Sequence, residues 1–160
     1  MLNGMASMLS RSAIHAIRAL LELAEAPQRW RSVHDLAEAQ QLPEPLLEQL
    51  MLRLRRAAIV EARRGRQGGY RLARPAAAIP LATILAALTN AGARSDPRPD
   101  QSGQPDTAAP DATARVTVAL ERRLRQALER ELARCTLEEL LHDLRSARVS
   151  LNEESGLLLG

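Results

Sequence analysis

The 160-residue chain has no phenylalanine, one tryptophan and one tyrosine. A core without large rings must be built from leucine, isoleucine, valine and alanine, a composition that points to helices packed on helices. Lysine is missing too: all 22 basic side chains are arginine, whose planar guanidinium favours bidentate contacts to phosphates and guanine edges. One cysteine excludes an intrachain disulfide and any all-cysteine metal site within one chain, and fits a reducing compartment. No apolar run approaches the roughly 20 residues of a membrane-spanning helix. The start, "MLNGMASMLS", lacks the basic flank and apolar centre of a secretion signal. The expectation is a cytoplasmic protein with no membrane partner, with Met8 as an alternative start after seven disordered residues. Catalytic constellations are absent as well. No Ser-His-Asp set or carboxylate pair converges on a helix face, "GRQGG" lacks the Lys-Ser/Thr ending of a phosphate-binding loop, and His15, His34 and His142 share no spacing for a metal. Neither an enzyme nor a metal site is expected.

What is present is unevenly placed. The net charge is only +3, yet residues 53–74 hold eight arginines against the single acid Glu61. Such a local basic stretch is the electrostatic footprint of a nucleic-acid surface, or more plainly a solvated basic face. Within it, "RRGRQGGYRLARP" (63–75) combines five arginines, three glycines and the only tyrosine.

Three helices are expected ahead of that stretch. From Ser10, the first has Ala13, Ile17, Leu20, Leu21 and Ala24 on one face and Pro27 beyond its end. The second is short, capped by Ser32 with Asp35 three residues on, and turns Val33, Leu36 and Ala37 inward. After the break at "LPEP", the third has an apolar stripe of Leu46, Leu47, Leu50 and Leu54 and a polar face bearing Glu48, Gln49, Arg53, Arg55 and Arg56. Then "IVEAR", a turn at "RGRQGG" and "YRLAR" read as a β-hairpin. A helix pair followed by a basic, glycine-tipped hairpin describes a winged helix-turn-helix. Gly65, Gly68 and Gly69 permit close backbone approach, and an arginine-bearing wing suits the narrow, electronegative minor groove; a surface hairpin with glycines only for its turns is the plainer alternative. Tyr70 is expected to pack the wing on the helices rather than stack a base, and Trp30 to act as a lid on the core, with the binding of an effector ring as its alternative.

The rest of the chain begins with "IPLATILAALT", a fourth helix with Pro80 near its first turn. Residues 90–112, with four prolines, two glycines and no aliphatic residue larger than alanine, read as a flexible loop. A long helix follows whose stripe of Val116, Leu120, Leu124, Leu128 and Leu132 recurs every fourth residue. The chain offers few free faces to cover it, so a second subunit is the economical partner. Thr136 and Glu139 cap a short last helix in "TLEELLHDL", and no structure is evident from Val149 onward.

In this order, "MLSRSAIHAIRALLELA", "LPEPLLEQLMLRLRRAAIV", "RRGRQGGYRLARP", "IPLATILAAL" and "CTLEELL" resemble the Rrf2 family of bacterial transcription regulators over about residues 8–145. The resemblance implies a mostly α protein: a winged helix-turn-helix DNA-binding domain (8–89) with a two-stranded β wing, the loop (90–112), a long dimerisation helix with a short final helix (113–148), and a disordered tail (149–160). It implies a homodimer on a double-stranded operator, commonly as a repressor, with the third helix in the major groove. Glu48 matches the position that accepts a hydrogen bond from a cytosine amino group, Gln49 and Arg53 match backbone contacts, and Arg64 matches the arginine that enters the minor groove. The expected DNA-contacting set is Ser10, Arg11, Pro45, Glu48, Gln49, Arg53, Arg55, Arg56, Arg63, Arg64, Arg66, Gln67, Gly68, Gly69 and Tyr70.

The chain departs from the family pattern in three places. Pro45 stands where some members present a serine to bases, and Arg66-Gln67 replace Pro-Gly in the wing. The loop that holds three cysteines and often a histidine around an iron-sulfur cluster in many members has neither residue here, and carboxylates are poor substitutes for thiolates at iron. No cofactor is therefore expected. Cys135 lies outside that loop and reads as a small hydrophobe at a helix junction, or as a redox-active thiol. The alternative to direct signal sensing by the DNA-binding protein is an interaction module set by a docked metabolic enzyme or another protein or small-molecule effector.

Overall fold

The computed structural model describes residues 9–89 and 112–157, without the side chains of residues 114 and 153–157. The elements run α1 (Arg11–Glu25), α2 (Val33–Gln40), α3 (Glu44–Arg56), β1 (Val60–Arg63), β2 (Gly69–Leu72), a 3₁₀ turn (Ala76–Ala78), α4 (Leu81–Thr89), α5 (Ala112–Arg134) and α6 (Leu137–Leu157). It is a mostly helical fold with one two-stranded antiparallel sheet. The expected flexible loop falls on residues 90–111, outside the described residues, as does the proposed start at Met8; Ala112 already belongs to α5.

Helix α1 is the hub. The Ser10 hydroxyl accepts the Ala13 N–H at 3.1 Å to start it, and it packs against α2, α3, α4, α6 and β2. Its buried face is Ala13, Ala16, Ala19, Leu20, Leu23 and Ala24; of the expected face, Ala13, Leu20 and Ala24 are buried, while Ile17 and Leu21 lie at its margin. Four alanines let several neighbours approach one helix closely; larger side chains would hold them apart. His15 is half-buried at the edge of this face, its Nδ1 without a hydrogen-bond partner.

Helix α2 starts with a reciprocal capping box: Asp35 N–H donates to Ser32 Oγ at 3.0 Å, and Ser32 N–H to the Asp35 carboxylate at 3.4 Å. Gln41 ends it in the left-handed region, at φ 53°, and Leu42 N–H donates back to Ala37 at 2.9 Å. Pro43 then precedes α3, and Pro45 sits in the first turn, where a missing N–H costs no helix bond. The inward face of α3 is Leu47, Leu50, Met51 and Leu54, while Leu46 is exposed. Met51, one turn beyond Leu47, takes the core position expected of Leu46.

The strands pair with Val60 opposite Leu72, Glu61 opposite Arg71, Ala62 opposite Tyr70 and Arg63 opposite Gly69. Buried Val60 and Leu72 root the hairpin in the core. A further backbone pair joins Arg31 and Tyr70, with N···O distances of 2.9 and 2.7 Å, so the α1–α2 loop forms a rudimentary third strand.

Near the C-terminus, Leu81 N–H donates to Cys135 and Leu137 N–H to Ile79, both at 2.9 Å. These bonds clip the α5–α6 junction to the entry of α4. Thr136 and Glu139 cap α6 reciprocally, at 3.2 and 3.4 Å. The expected short final helix with a structureless tail from residue 149 is corrected: α6 continues through Val149, Ser150 and Leu151 to Leu157. No proline interrupts it, and just ahead of the added turns Arg148 pairs with Glu25 at the end of α1.

Candidate nucleic-acid interface

With Leu47, Leu50, Met51 and Leu54 inward, a 3.6-residue period directs Pro45, Glu48, Gln49 and Arg56 outward on α3. Glu48, Gln49, Arg55 and Arg56 are exposed and Arg53 is half-buried. The helix entry is braced by His34 of α2, whose Nδ1 lies 2.5 Å from the Glu44 carboxylate. That hydrogen bond, and then the carboxylate charge, raise the His34 pKa above its ordinary value.

The wing needs glycine at each position for a different reason. Gly65 has φ 108° in open space; a Cβ on Gly68 would lie 2.2 Å from the Arg63 carbonyl oxygen; one on Gly69 would lie 2.2 Å from that of Arg31, with φ already at 136°. Of the wing arginines, Arg64 and Arg66 are exposed and make no hydrogen bond or ion pair among the described residues. Arg63 is committed elsewhere, donating to the Gln67 carbonyl at 2.8 Å and stacking over Trp30 at 5.0 Å. Arg71 stacks on the same indole at 4.5 Å and pairs with Glu61. Tyr70 is half-buried against the core, with its backbone held by Arg31. Ser10 is used as the α1 cap, and Arg11 beside it is exposed.

Expected site residues thus fall in two groups: those on α3 and on the wing, whose strand β1 packs against α3, and the stripe on α5. Val116, Leu120, Leu124 and Leu128 are exposed in the single chain, from 41% to 68%, and only Leu132 packs on the core. The lid expected of Trp30 is corrected: it is not among the hydrophobics packed on the core, and its indole instead carries the guanidinium groups of Arg63 and Arg71, a double stack that sequence reasoning missed. Its one signal was a lone tryptophan between Arg29 and Arg31 in a chain almost without aromatics.

Cys135 is half-buried at the α5–α6 junction. Its thiol pKa is raised, first by a hydrogen bond with Glu139, then by burial and the charges of Glu139, Glu131 and Asp143. These neighbours act against thiolate formation, the reverse of what an activated cysteine needs. Among the described residues no group of three or more His, Cys, Asp or Glu side chains is placed to hold a metal ion, and no helix is long and apolar enough to cross a membrane.

Comparison with known proteins follows the same outline. Residues 9–143 match the family model described as "Rrf2: Iron-dependent Transcriptional regulator". An HTH-type transcriptional regulator of Synechocystis is 39% identical over 146 residues, 91% of this chain and 95% of that protein. IscR of Cereibacter sphaeroides, also an HTH-type transcriptional regulator, is 45% identical over 83 residues, about half of each chain (50% and 54%). The solved structure of T. potens IscR superposes with a TM-score of 0.65 at 30% identity, covering 87% of this chain and 89% of that one. A winged helix pair with an arginine-tipped hairpin, matched by a family model over most of the chain, identifies this protein as a member of the Rrf2 family of DNA-binding transcriptional regulators.

Proposed function

We propose that the chain works as a homodimer that binds operator DNA and represses transcription from it, with α3 of each copy in a major groove and each wing in the adjoining minor groove. The observation that carries this reading is that Arg64 and Arg66 stand exposed and unpaired on a wing built into the same body as the outward face of α3. Glu48 accepts a hydrogen bond from a cytosine amino group, Gln49, Arg53, Arg55 and Arg56 hold the backbone, and Arg64 enters the minor groove. The exposed α5 stripe supplies the dimer contact. Operator binding places the protein in the cytoplasm, on the nucleoid.

The family description names iron, and the donor set here does not suit a cluster. Residues 90–112 contain neither cysteine nor histidine, and the single cysteine sits among carboxylates that keep its thiol protonated. We read the protein as cluster-independent, taking its signal from a small molecule or a docked protein. Iron and sulfide analysis with a visible spectrum of anaerobically purified protein tests this: a colourless, iron-free protein that binds DNA is expected, and bound iron with sulfide would reverse the reading.

DNA binding is tested on an operator selected from random sequence. Arg64→Ala, present in both copies, should weaken binding and reduce the slope of log K against log salt by about 1.8, about 0.9 for the phosphate neutralised by each copy. Glu48→Ala should relax base choice at one position by about 1–3 kcal/mol while nonspecific affinity stays put. A uniform loss across sequences would remove Glu48 from base reading.

A further inference from the structure

We propose that Trp30 is the positioning residue of the wing: its indole, gripped by the guanidinium groups of Arg63 and Arg71, sets the direction in which Arg64 leaves the body. The proposal rests on the wing contacting DNA. The register places Glu61, Arg63 and Arg71 on one face of the hairpin, because Glu61 and Arg63 are two residues apart on β1 and Arg71 lies opposite Glu61. Trp30 occupies that face. Arg63 and Arg71 lie 5.0 and 4.5 Å from its ring centroid, and tryptophan is the best aromatic partner for a cation.

The other anchors hold other parts of the hairpin. Val60 and Leu72 root its base in the core; the Arg31–Tyr70 backbone pair holds β2 near its start. Arg63 is the last residue of β1 before the tip, and it alone reaches both ways, stacking on Trp30 and donating to the Gln67 carbonyl across the turn at 2.8 Å. An isolated two-stranded hairpin is marginally stable and takes its orientation from what it packs on. Removal of the indole therefore leaves the rooted strands in place and frees the tip that carries Arg64 and Arg66. A residue of the α1–α2 loop that carries no charge thus controls the minor-groove contact.

The test is a double-mutant cycle in the full-length protein on the selected operator, with Kd measured against salt for wild type, Trp30→Ala, Trp30→Phe, Arg64→Ala and the Trp30→Ala/Arg64→Ala pair. Trp30→Ala should weaken operator binding about tenfold. Its salt slope should fall toward that of Arg64→Ala although no charge has been removed, which general destabilisation does not produce. Trp30→Phe should recover most of the loss, and in the Arg64→Ala background Trp30→Ala should cost less than about twofold. Should Trp30→Ala fail to fold, fluorinated tryptophans at this sole tryptophan weaken the ring's attraction for cations at nearly constant shape, and operator affinity should decline with each added fluorine. Additive effects in the cycle, a wild-type salt slope for Trp30→Ala, or affinity indifferent to fluorination would each overturn the positioning role. Arg64→Ala with wild-type affinity and slope would overturn the DNA-contacting wing itself, and the proposal with it.

Discussion

Gln41 shows how one residue can be held by its place in a motif. It joins the two helices of the helix-turn-helix at φ 53° and ψ 45°, its side chain exposed, in a region that costs a residue with a Cβ roughly 1–2 kcal/mol. Glycine removes that cost and regains only part of it as unfolded-chain entropy. Gln41→Gly should therefore stabilise the fold by about 0.5–1 kcal/mol, read as a higher urea midpoint at constant m-value; an unchanged or lowered midpoint would mean that the turn is not strained. Nothing in "AQQLPEP" marks this position, because glutamine has no preference for the left-handed region. The wing glycines were legible as a group, but their separate reasons were not. Two of them answer to backbone oxygens of Arg63 and Arg31, and the second contact spans residues far apart in the chain.

At the scale of elements, caps and turns were readable because they are local. Ser32 with Asp35 and Thr136 with Glu139 form the reciprocal hydrogen bonds their three-residue spacing suggests. The His34–Glu44 contact between α2 and α3 was not readable, since it depends on the angle of the turn. Its titration has a definite sign. Folding raises the His34 pKa above 6.5, so the contribution of the pair is complete below pH 6.5 and is lost as pH rises through the folded-state pKa. Wild-type stability should decline across that window relative to His34→Ala, and the His34 ring should titrate above the ordinary histidine range by NMR. A midpoint at or below 6.5 would contradict the contact. Buried faces were approximate: the periods of α1 and α3 were right, but the choice between Leu46 and Met51, or between Ile17 and Ala16, depends on which neighbours surround each helix. The length of α6 was underestimated because its last turns lack a clear apolar stripe to read in the sequence.

For the whole molecule, the α5 stripe has the largest consequence. Val116, Leu120, Leu124 and Leu128 are exposed along one helix face, an arrangement that favours burial against a second copy. Burying one leucine is worth about 1.5–3 kcal/mol. A carboxylate at Leu124 removes that gain and must itself be desolvated, once in each copy. Leu124→Asp should then weaken the proposed dimer by at least about a hundredfold, and operator affinity should fall with it while the helix content of each chain is kept. Light scattering after size exclusion measures the first effect and circular dichroism the second. A dimer of unchanged strength would remove the stripe from the interface.

Local physics, written in neighbouring residues, determined much of this protein from its sequence: the helix starts, the hairpin, the basic wing and the leucine stripe follow from spacing, glycine placement and charge. Tertiary structure decided what depends on distant partners. It turned Arg63 and Arg71 onto Trp30 and left Arg64 and Arg66 without a partner among the described residues, although the sequence presents all of them as similar arginines of one basic stretch. It also set Cys135 beside Glu139, which gives the thiol an environment opposed to ionisation. Equivalent side chains in sequence acquire different chemistry through the neighbours the fold brings to them.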